Sequence, residues 1–308
     1  MTEGRARTVF IGSGGFGRET LWQLGEHPDV QLVGVVTAPP KPAGRGRRTG
    51  VTPIHEAARH LEVRPILTPS SLRDAVGEVL ALDPDIVVLA DYGQIVPTAL
   101  LDLRHGALNL HPSLLPRHRG ATPIPATILA GDTETGVTLM RMDAGLDTGP
   151  IVAQARVPVA GDETTPLLEE TLEVEAAGLL TRYLGPWLRG KISATPQPDD
   201  GATVTRPLRR EDGRLDTRRP ATELERQVRA YQPWPGSFVE TDVGRLIVWR
   251  AEPEAGATPA GTFDEGGLGT GDGTRLRLHE VQPAGGTRMR WDAFVRGRPA
   301  IVGSSIVS

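Results

Sequence analysis

The sequence predicts an α/β protein of two domains: a Rossmann-like, doubly wound and mainly parallel sheet, followed by a small OB-like β-barrel. Two observations predict this division. Short apolar runs rich in Val, Ile and Leu alternate with helical patterns through the first two-thirds of the chain, which is typical of βαβ units. Short strand-like segments broken by glycines fill the last third, which is typical of small barrels. A chain of 308 residues is long enough for both domains.

The elements of the first domain follow from the two periodicities. Buried strands are predicted where apolar residues run together, and further extended segments follow them. These strands and extended segments lie at 8–11, 31–36, 86–90, 107–110, 136–142 and 150–159. Helices are predicted at 18–25, 53–60, 70–81 and 165–188. Ser70 is a suitable N-cap for the third of these helices.

A segment without sustained periodicity separates the second domain from the first. Residues 191–207 are rich in Pro, Asp, Gly and Thr, which predicts a flexible linker between domains at 1–190 and 208–308. The second domain begins with a predicted helix at 222–230, for which Thr222 is the expected N-cap. Only short strands are predicted after this helix, at 238–240, 245–249 and 275–278.

Composition excludes several classes of site. The chain has no cysteine, so disulfides, thiolate metal sites and cysteine nucleophiles are excluded. Its formal net charge of −4 is too small to favour any class of partner. We find neither a run of about 18 apolar residues nor a signal-peptide pattern. We therefore expect a cytoplasmic protein with no membrane segment.

A glycine-rich turn after the first predicted strand matches a dinucleotide-binding fingerprint. Gly12, Gly14 and Gly17 fit the pattern G-x-G-x-x-G. That fingerprint also needs an Asp or Glu about 20 residues further on, and the second predicted strand runs into 37–40 without one. Arginines in the following loop leave the 2′-phosphate form of the cofactor open. We expect a tight strand-to-helix turn and no bound nicotinamide cofactor.

Side chains suited to chemistry gather between residues 107 and 152. Asn109 and His111 lie two residues apart at the end of a predicted strand, so both side chains point to one side of the sheet. Asp147 lies in a turn-prone loop. Singly, such residues are usually loop caps and turn residues. Together they suit acyl transfer, because an amide can donate to an oxyanion, an imidazole can move a proton and a carboxylate can stabilise the imidazolium.

The same stretch resembles the signature of the 10-formyltetrahydrofolate-dependent formyltransferases. The resemblance extends to 92–97 (YGQIVP) and to 229–236 (RAYQPWPG), just before the predicted barrel strands. It implies that Asn109, His111 and Asp147 form the catalytic trio, and that 10-formyltetrahydrofolate is the co-substrate. It also implies that the folate is contacted by Ser113, Leu114, Leu115, Pro116, Gln94, Ile95 and Val96.

The chain departs from the usual pattern of this family at three places. The turn at 12–17 has glycines where the family typically has proline and aspartate. Asp91 stands where an apolar residue usually precedes Tyr-Gly, and His118 stands where an aromatic residue is common. None of these changes removes a catalytic group, but the altered turn bears on how the amino acid end of a substrate fits.

The whole chain resembles the branch of the family that formylates initiator methionyl-tRNA. In that branch the loop corresponding to 39–48 (PPKPAGRGRR) inserts at the acceptor stem of the tRNA. The resemblance makes 1–190 the formyltransferase catalytic domain and 208–308 the tRNA-binding domain. The tRNA contacts that it implies are Lys41, Arg45, Arg47 and Arg48. On the residues alone, a solvated basic loop is the commoner outcome for such a run.

Other functions stay open on the sequence. Sugar-nucleotide N-formyltransferases share the catalytic trio, a non-catalytic module would bind RNA through the barrel alone, and a folate hydrolase would release formate to water. The basic loop and the barrel favour a tRNA acceptor, and the intact trio argues against a decayed enzyme. His105, His111 and His118 fit no common zinc spacing, so we expect no metal. We expect the protein to be a monomer.

Overall fold

The computed structural model describes residues 4–43 and 48–307. The chain divides into two compact units. The first unit consists of Met1–Pro123, Glu134–Pro158 and Glu169–Thr205. The second consists of Ile124–Thr133, Val159–Leu168 and Arg206–Ser308.

Strands and helices alternate through the first two-thirds of the chain, and strands dominate the last third. The strands are β1 Ala6–Gly12, β2 Val30–Val36, β3 Lys41–Ala43, β4 Arg48–Gly50, β5 Ile66–Leu67, β6 Ile86–Ala90, β7 Ala107–His111, β8 Arg119–Gly120, β9 Glu134–Arg141, β10 Ile151–Pro158, β11 Val204–Thr205, β12 Ser237–Thr241, β13 Gly244–Ala255, β14 Gly267–Gly269, β15 Thr274–Pro283 and β16 Met289–Arg290. The helices are α1 Arg18–Glu26, α2 Pro53–His60, α3 Val76–Leu80, α4 Thr98–Leu101, α5 Pro123–Ala130, α6 Thr165–Leu188, α7 Ala221–Ala230 and α8 Trp291–Gly297.

Seven strands form the central sheet of the first unit, in the order β10-β9-β7-β6-β1-β2-β5. The pairs β7-β6, β6-β1, β1-β2 and β2-β5 are parallel. Strand β9 is antiparallel to both β7 and β10. All residues of β6 are buried, as expected for a strand covered on both faces. The predicted doubly wound, mainly parallel sheet is confirmed.

An antiparallel, curled sheet forms the second unit. Its strands lie in the order β12-β13-β15-β14, and β16 pairs with β15. The predicted OB-like fold is confirmed, with one correction: only short strands were predicted after residue 230, but α8 is a helix. Trp291 and Phe294 of α8 are buried, and the Trp291 ring stacks on Phe263 with centroids 5.8 Å apart. These two buried aromatic residues, three apart, are the helical signal that the prediction overlooked.

The predicted helix at 70–81 is wrong over its first half, since α3 begins only at Val76. The side chain of Gln94 contacts the backbone of this first half. Its Oε1 accepts a hydrogen bond from the Leu72 N–H at 2.8 Å, and its Nε2 donates to the Ser70 carbonyl at 3.4 Å. Residues 70–72 are therefore bonded to a side chain from another part of the chain.

The other long helices agree closely with the prediction. The bounds of α2 and α6 are those predicted, and α1 extends one residue further. Pro220 is the N-cap residue of α7, so Thr222, the predicted cap, lies within its first turn. Across the described ranges, no helix combines the length and the apolar character needed to cross a membrane.

The segment at 191–207, predicted to be a flexible linker, is bonded to the first unit as far as Thr205. Thr195 forms a β-bridge with Ile151, and β11 runs parallel to β8 with Val204 opposite Arg119. These pairings correct the expectation of a flexible segment. A local pattern could not reveal them because the partners are distant in sequence. The domain bounds, 1–190 and 208–308, stay a prediction.

Candidate active site

The imidazole of His111 lies buried at the end of β7, with 6% of its side chain exposed. Its Nε2 atom is 2.9 Å from the main-chain oxygen of His118. A carbonyl oxygen can only accept a hydrogen bond, so Nε2 carries a proton and donates it. In the neutral ring Nδ1 then holds a lone pair. Nδ1 is therefore the ring atom at which a further proton can be taken up.

Asp147 lies beside that second nitrogen. Its Oδ2 atom is 3.7 Å from Nδ1 of His111, too far for a direct hydrogen bond but close enough to stabilise the protonated ring. The same oxygen accepts a hydrogen bond from the Gly120 N–H at 2.8 Å. Because β9 ends opposite Leu108, the loop after β9, rather than the edge of the sheet, carries Asp147 to the ring.

Burial and charge act on His111 in opposite directions. Desolvation of the ring lowers its pKa, whereas the Asp147 carboxylate and the hydrogen bond to the His118 carbonyl favour the charged form. Desolvation dominates, so the pKa of His111 lies below its ordinary value of 6.5. At neutral pH the ring is therefore uncharged, and Nδ1 is ready to accept a proton.

Asn109 lies two residues before His111 on β7, so the two side chains leave the strand on the same face. The residue is half-buried. Within residues 4–43 and 48–307 its side-chain amide makes no hydrogen bond. The amide is thus a donor without a fixed partner, which is what a group that binds a developing oxyanion requires.

Side chains of the neighbouring strands fix the first predicted folate loop, which follows His111. The Thr138 hydroxyl on β9 donates to the Ser113 carbonyl at 2.7 Å and accepts from the Leu115 N–H at 3.1 Å. Ser113 and Leu115 are buried, whereas Leu114 and Pro116 are half-buried. The last two are therefore the side chains of this loop that a ligand can reach.

The second predicted folate loop follows β6. The Gln94 amide is engaged with the backbone at 70–72, and Val96 belongs to the apolar core. Ile95 is 83% exposed, so it is the residue of these three that offers a large apolar surface. Folate contact by these residues stays a prediction.

The glycine-rich turn after β1 is closed by the chain itself. The N–H groups of Ser13 and Gly14 point to the main-chain oxygen of Asp91, at 3.0 and 3.5 Å. A Cβ atom added at Gly14 would overlap the Asp91 carboxylate. The backbone donors that cradle a pyrophosphate in a dinucleotide site are therefore used within the chain.

Two polar residues that hold the site were not predicted. Gln197, in the segment predicted as a linker, donates to the main-chain oxygens of Asp147 and Gly149 at 2.8 and 2.7 Å. The Thr203 hydroxyl accepts a hydrogen bond from the His118 N–H at 2.8 Å. No sequence pattern identifies them, because their partners lie 48 to 85 residues away.

The predicted tRNA-binding residues lie in and around a hairpin formed by β3 and β4. Lys41 on β3 is exposed and stands opposite Gly50. Arg48 begins β4, whereas Arg45 and Arg47 lie outside the described residues. Contact between these residues and RNA stays a prediction.

Two family matches cover most of the chain. Residues 6–183 match the formyl transferase family, and residues 207–299 match the formyl transferase C-terminal domain. A methionyl-tRNA formyltransferase of Roseiflexus sp. (strain RS-1) is 43% identical over 289 residues, which cover 91% of this chain and 88% of that protein. Another, of Myxococcus xanthus (strain DK1622), is 41% identical over 308 residues, which cover 97% of each chain.

Solved structures share the fold. HypX from Aquifex aeolicus, in complex with tetrahydrofolic acid, has a TM-score of 0.65 at 16% identity; the match covers 94% of this chain and 47% of HypX, so this chain spans about half the length of HypX. An N-formyltransferase from Helicobacter canadensis, in complex with folinic acid and dTDP-3-aminofucose, has a TM-score of 0.67 at 16% identity over 89% of this chain and 98% of that one. Because the family matches span both parts of the sequence and relatives align over nearly its full length, the chain belongs to the formyl transferase family.

Proposed function

We propose that the chain transfers the formyl group of 10-formyltetrahydrofolate to the α-amino group of the methionine on initiator methionyl-tRNA. The relatives that align nearly from end to end are named methionyl-tRNA formyltransferases. Within the site, the observation that carries the proposal is the His111 ring, whose Nε2 is bonded to a carbonyl while Nδ1 lies beside Asp147. One ring nitrogen anchors the side chain, and the other is available for proton transfer.

His111 acts as the proton carrier in this proposal. Nδ1 takes the proton released by the amine nitrogen as that nitrogen bonds to the formyl carbon. Asp147, 3.7 Å away, stabilises the resulting imidazolium. Nδ1 then returns the proton to N10 of the folate as the bond between N10 and the formyl carbon breaks. The products are the formylated amine and tetrahydrofolate, so the protons balance and no electrons are exchanged with a cofactor.

Asn109 supplies the oxyanion donor. As the amine attacks, negative charge develops on the formyl oxygen of the tetrahedral intermediate. The side-chain amide of Asn109 has no other hydrogen-bond partner among the described residues, so it is available to donate to this oxygen. Removing one such donor typically costs roughly 10²–10³ in rate.

Exposed apolar side chains on the loops that follow β6 and β9 suit the flat rings of a folate. Ile95 is 83% exposed, and Leu146, which precedes Asp147, is 61% exposed. Exposed apolar side chains close to a few polar groups are typical of ligand pockets. In this proposal Ile95, Leu114 and Pro116 contact the folate directly. The remaining predicted contacts shape its loops: Gln94, Val96, Ser113 and Leu115.

The basic loop favours a tRNA acceptor over a sugar nucleotide. Lys41, with Arg45, Arg47 and Arg48, supplies positive charge for the phosphates and bases of an opened acceptor end. A sugar nucleotide is small and does not need an extended basic loop for binding. The N-formyltransferase solved with a sugar nucleotide is only 16% identical to this chain, a likeness of fold that does not extend to the substrate.

We further propose that the enzyme works as a monomer in the cytoplasm and uses neither NAD nor a metal. The proton route through His111 needs no Lewis acid and moves no hydride. The turn that matches the dinucleotide fingerprint uses the N–H groups of Ser13 and Gly14 on the main-chain oxygen of Asp91. Formyl transfer that survives extensive treatment with a chelator, and a monomer mass by light scattering, are the expected results.

The direct test is a formyl-transfer assay with 10-formyltetrahydrofolate and three acceptors: initiator methionyl-tRNA, free methionine and an amino-sugar nucleotide. We expect transfer only to the charged tRNA, abolished in His111→Ala and strongly reduced in Arg45→Ala. Arg182→Ala, at an exposed arginine of α6, is the matched control and should act like the wild type. Transfer to the sugar amine would instead support a sugar-nucleotide N-formyltransferase and contradict the tRNA proposal.

A further inference from the structure

Gln197 joins two segments of the proposed active site. Its Nε2 donates to the main-chain oxygens of Asp147 and Gly149, at 2.8 and 2.7 Å. Its Oε1 accepts two hydrogen bonds from the Arg119 guanidinium, at 3.0 Å from Nε and 2.7 Å from Nη2. Both amide protons and the amide oxygen are thus engaged, which fixes the orientation of the side chain.

The two segments that Gln197 joins also meet at the Asp147 carboxylate. The N–H of Gly120, the residue after Arg119, donates to Oδ2 of Asp147 at 2.8 Å. Asp147 has a left-handed φ of 51°, a conformation that residues other than glycine adopt only occasionally. Surrounding bonds must maintain such a conformation. Gln197 supplies two of them, one at Asp147 and one at Gly149.

We propose that Gln197 is a positioning residue for formyl transfer, which holds the Asp147 carboxylate next to Nδ1 of His111. This inference rests on the catalytic roles proposed above for Asp147 and His111. At a separation of 3.7 Å, the Coulomb energy of a charge pair changes steeply with distance. A small shift of the Asp147 loop therefore weakens the stabilisation of the imidazolium. Gln197 acts through Asp147, not on the reacting atoms.

Two substitutions at Gln197 test the proposal. Gln197→Met keeps the length of the side chain and removes its hydrogen bonds. Gln197→Glu keeps the acceptor for Arg119 but turns a carboxylate oxygen towards two main-chain oxygens. Because displacement of a catalytic group by about 1 Å can cost 10²-fold, we expect kcat to fall roughly 10- to 100-fold in both variants. The KM for 10-formyltetrahydrofolate should stay near the wild-type value.

Gln23→Met is the matched control for these variants. Gln23 is half-buried, and its amide donates to Glu19 one turn earlier on α1 at 3.0 Å. The chemical change is the same as at Gln197, but it lies outside the proposed site. We expect wild-type kcat and KM for this variant. A loss of kcat in Gln23→Met equal to that at Gln197 would contradict a specific role for Gln197.

The second measurement is the pKa of His111, followed by NMR of protein labelled in its imidazole rings. The Asp147 carboxylate raises this pKa, so a looser Asp147 loop should lower it in Gln197→Met, which introduces no charge of its own. The limb of the pH–rate profile that reports His111 should move to lower pH, whether the ring acts as acid or as base. A fall in kcat with an unmoved pKa would overturn the proposal, because a purely structural role predicts that pattern.

Asp147→Asn separates a failure of this inference from a failure of the proposed function. Wild-type turnover by Asp147→Asn would refute the catalytic roles. If Asp147→Asn is inactive while Gln197→Met keeps the wild-type kcat and His111 pKa, the inference about Gln197 alone fails. Thermal unfolding checks that each variant retains its fold. If Gln197→Met does not fold, Gln197→Ala, which also adds no charge, provides the same two measurements.

Discussion

Two aspartates of the first unit share a backbone conformation but have different surroundings. Asp147 and Asp91 both have left-handed φ angles, of 51° and 53°. The Asp147 carboxylate accepts the Gly120 N–H and lies beside His111. The Asp91 carboxylate makes no hydrogen bond within the described part of the chain. Although Asp91 as a residue is exposed, its carboxyl group lies against Gly14, and desolvation raises its pKa.

The difference lies in hydrogen-bond partners, rather than backbone conformation, and it separates the aspartate that we propose to act in catalysis from the other. The Gly120 N–H holds the Asp147 carboxylate beside one ring nitrogen of His111. Asp91 instead adds charge to a region where desolvation and the Asp91 charge also raise the pKa of Glu169. We infer that Asp91 and Gly14 are a matched pair, because the glycine removes the Cβ that would overlap the carboxylate. The glycine at position 14 and the aspartate at position 91, which both depart from the family pattern, are then one coupled change.

Removing the charge of Asp147 should have the largest effect. Asp147→Asn keeps an acceptor for the Gly120 N–H and a side chain that tolerates left-handed backbone, but it removes the charge that stabilises protonated His111. We expect kcat to fall about 100-fold or more, with little change in thermal unfolding. Asp91→Asn, the matched control, should keep a kcat near that of the wild type. Equal losses in the two variants would remove the functional distinction between these aspartates.

A methyl group at residue 14 should have the next largest effect, on stability. In Gly14→Ala the new Cβ overlaps the Asp91 carboxylate, so the turn or the carboxyl group must move. Because the overlapping atoms are the end of a side chain that can rotate, we expect a cost of about 1 kcal/mol in the free energy of unfolding, at the lower end of the range for overpacking. The double variant Gly14→Ala, Asp91→Ala should recover most of this loss. Urea unfolding of the single and double variants measures the coupling, and strictly additive effects would show that the two positions are not matched.

Elements that depend on local pattern could be predicted from the sequence. β6 covers Ile86–Ala90, as predicted, because consecutive apolar residues suit a strand buried on both faces. The bounds of α2 and α6 were likewise predicted from apolar spacing. The placement of Asn109 and His111 on one face of β7 follows from the two-residue period of a strand. The resemblance to the formyl transferase family is confirmed by the matches to both parts of the chain.

Features that depend on hydrogen bonds between distant segments could not be predicted. The Gln94 side chain bonds to the backbone at residues 70 and 72, where a helix was predicted. Gln197 reaches Asp147 across 50 residues of sequence, and the His118 carbonyl selects which nitrogen of His111 is free. No hydrophobic periodicity in the sequence indicates such hydrogen-bonded pairs. In the proposed mechanism these hydrogen bonds decide which ring atom transfers the proton, so the sequence indicated the candidate catalytic residues but not their geometry.

Neutralising Asp91 should have the smallest effect, a gain in stability that depends on pH. Desolvation raises the pKa of Asp91 above its ordinary value of 3.8, so the folded state favours the protonated carboxyl group. This preference contributes stability below pH 3.8 and is lost as the pH rises through the raised value. Asp91→Asn is neutral throughout. It should therefore be more stable than the wild type at neutral pH, and its advantage should shrink as the pH falls.

Asp83→Asn is the matched control, since Asp83 also has a left-handed φ, of 49°, but its side chain is 95% exposed. Its carboxyl group stays in water on folding, so we expect this variant to follow the pH dependence of the wild type. Urea unfolding from neutral pH to below 3.8 measures all three proteins. If Asp91→Asn also runs parallel to the wild type, the Asp91 carboxylate is not desolvated in the folded protein. The contrast with Asp147 would then rest on hydrogen-bond partners alone.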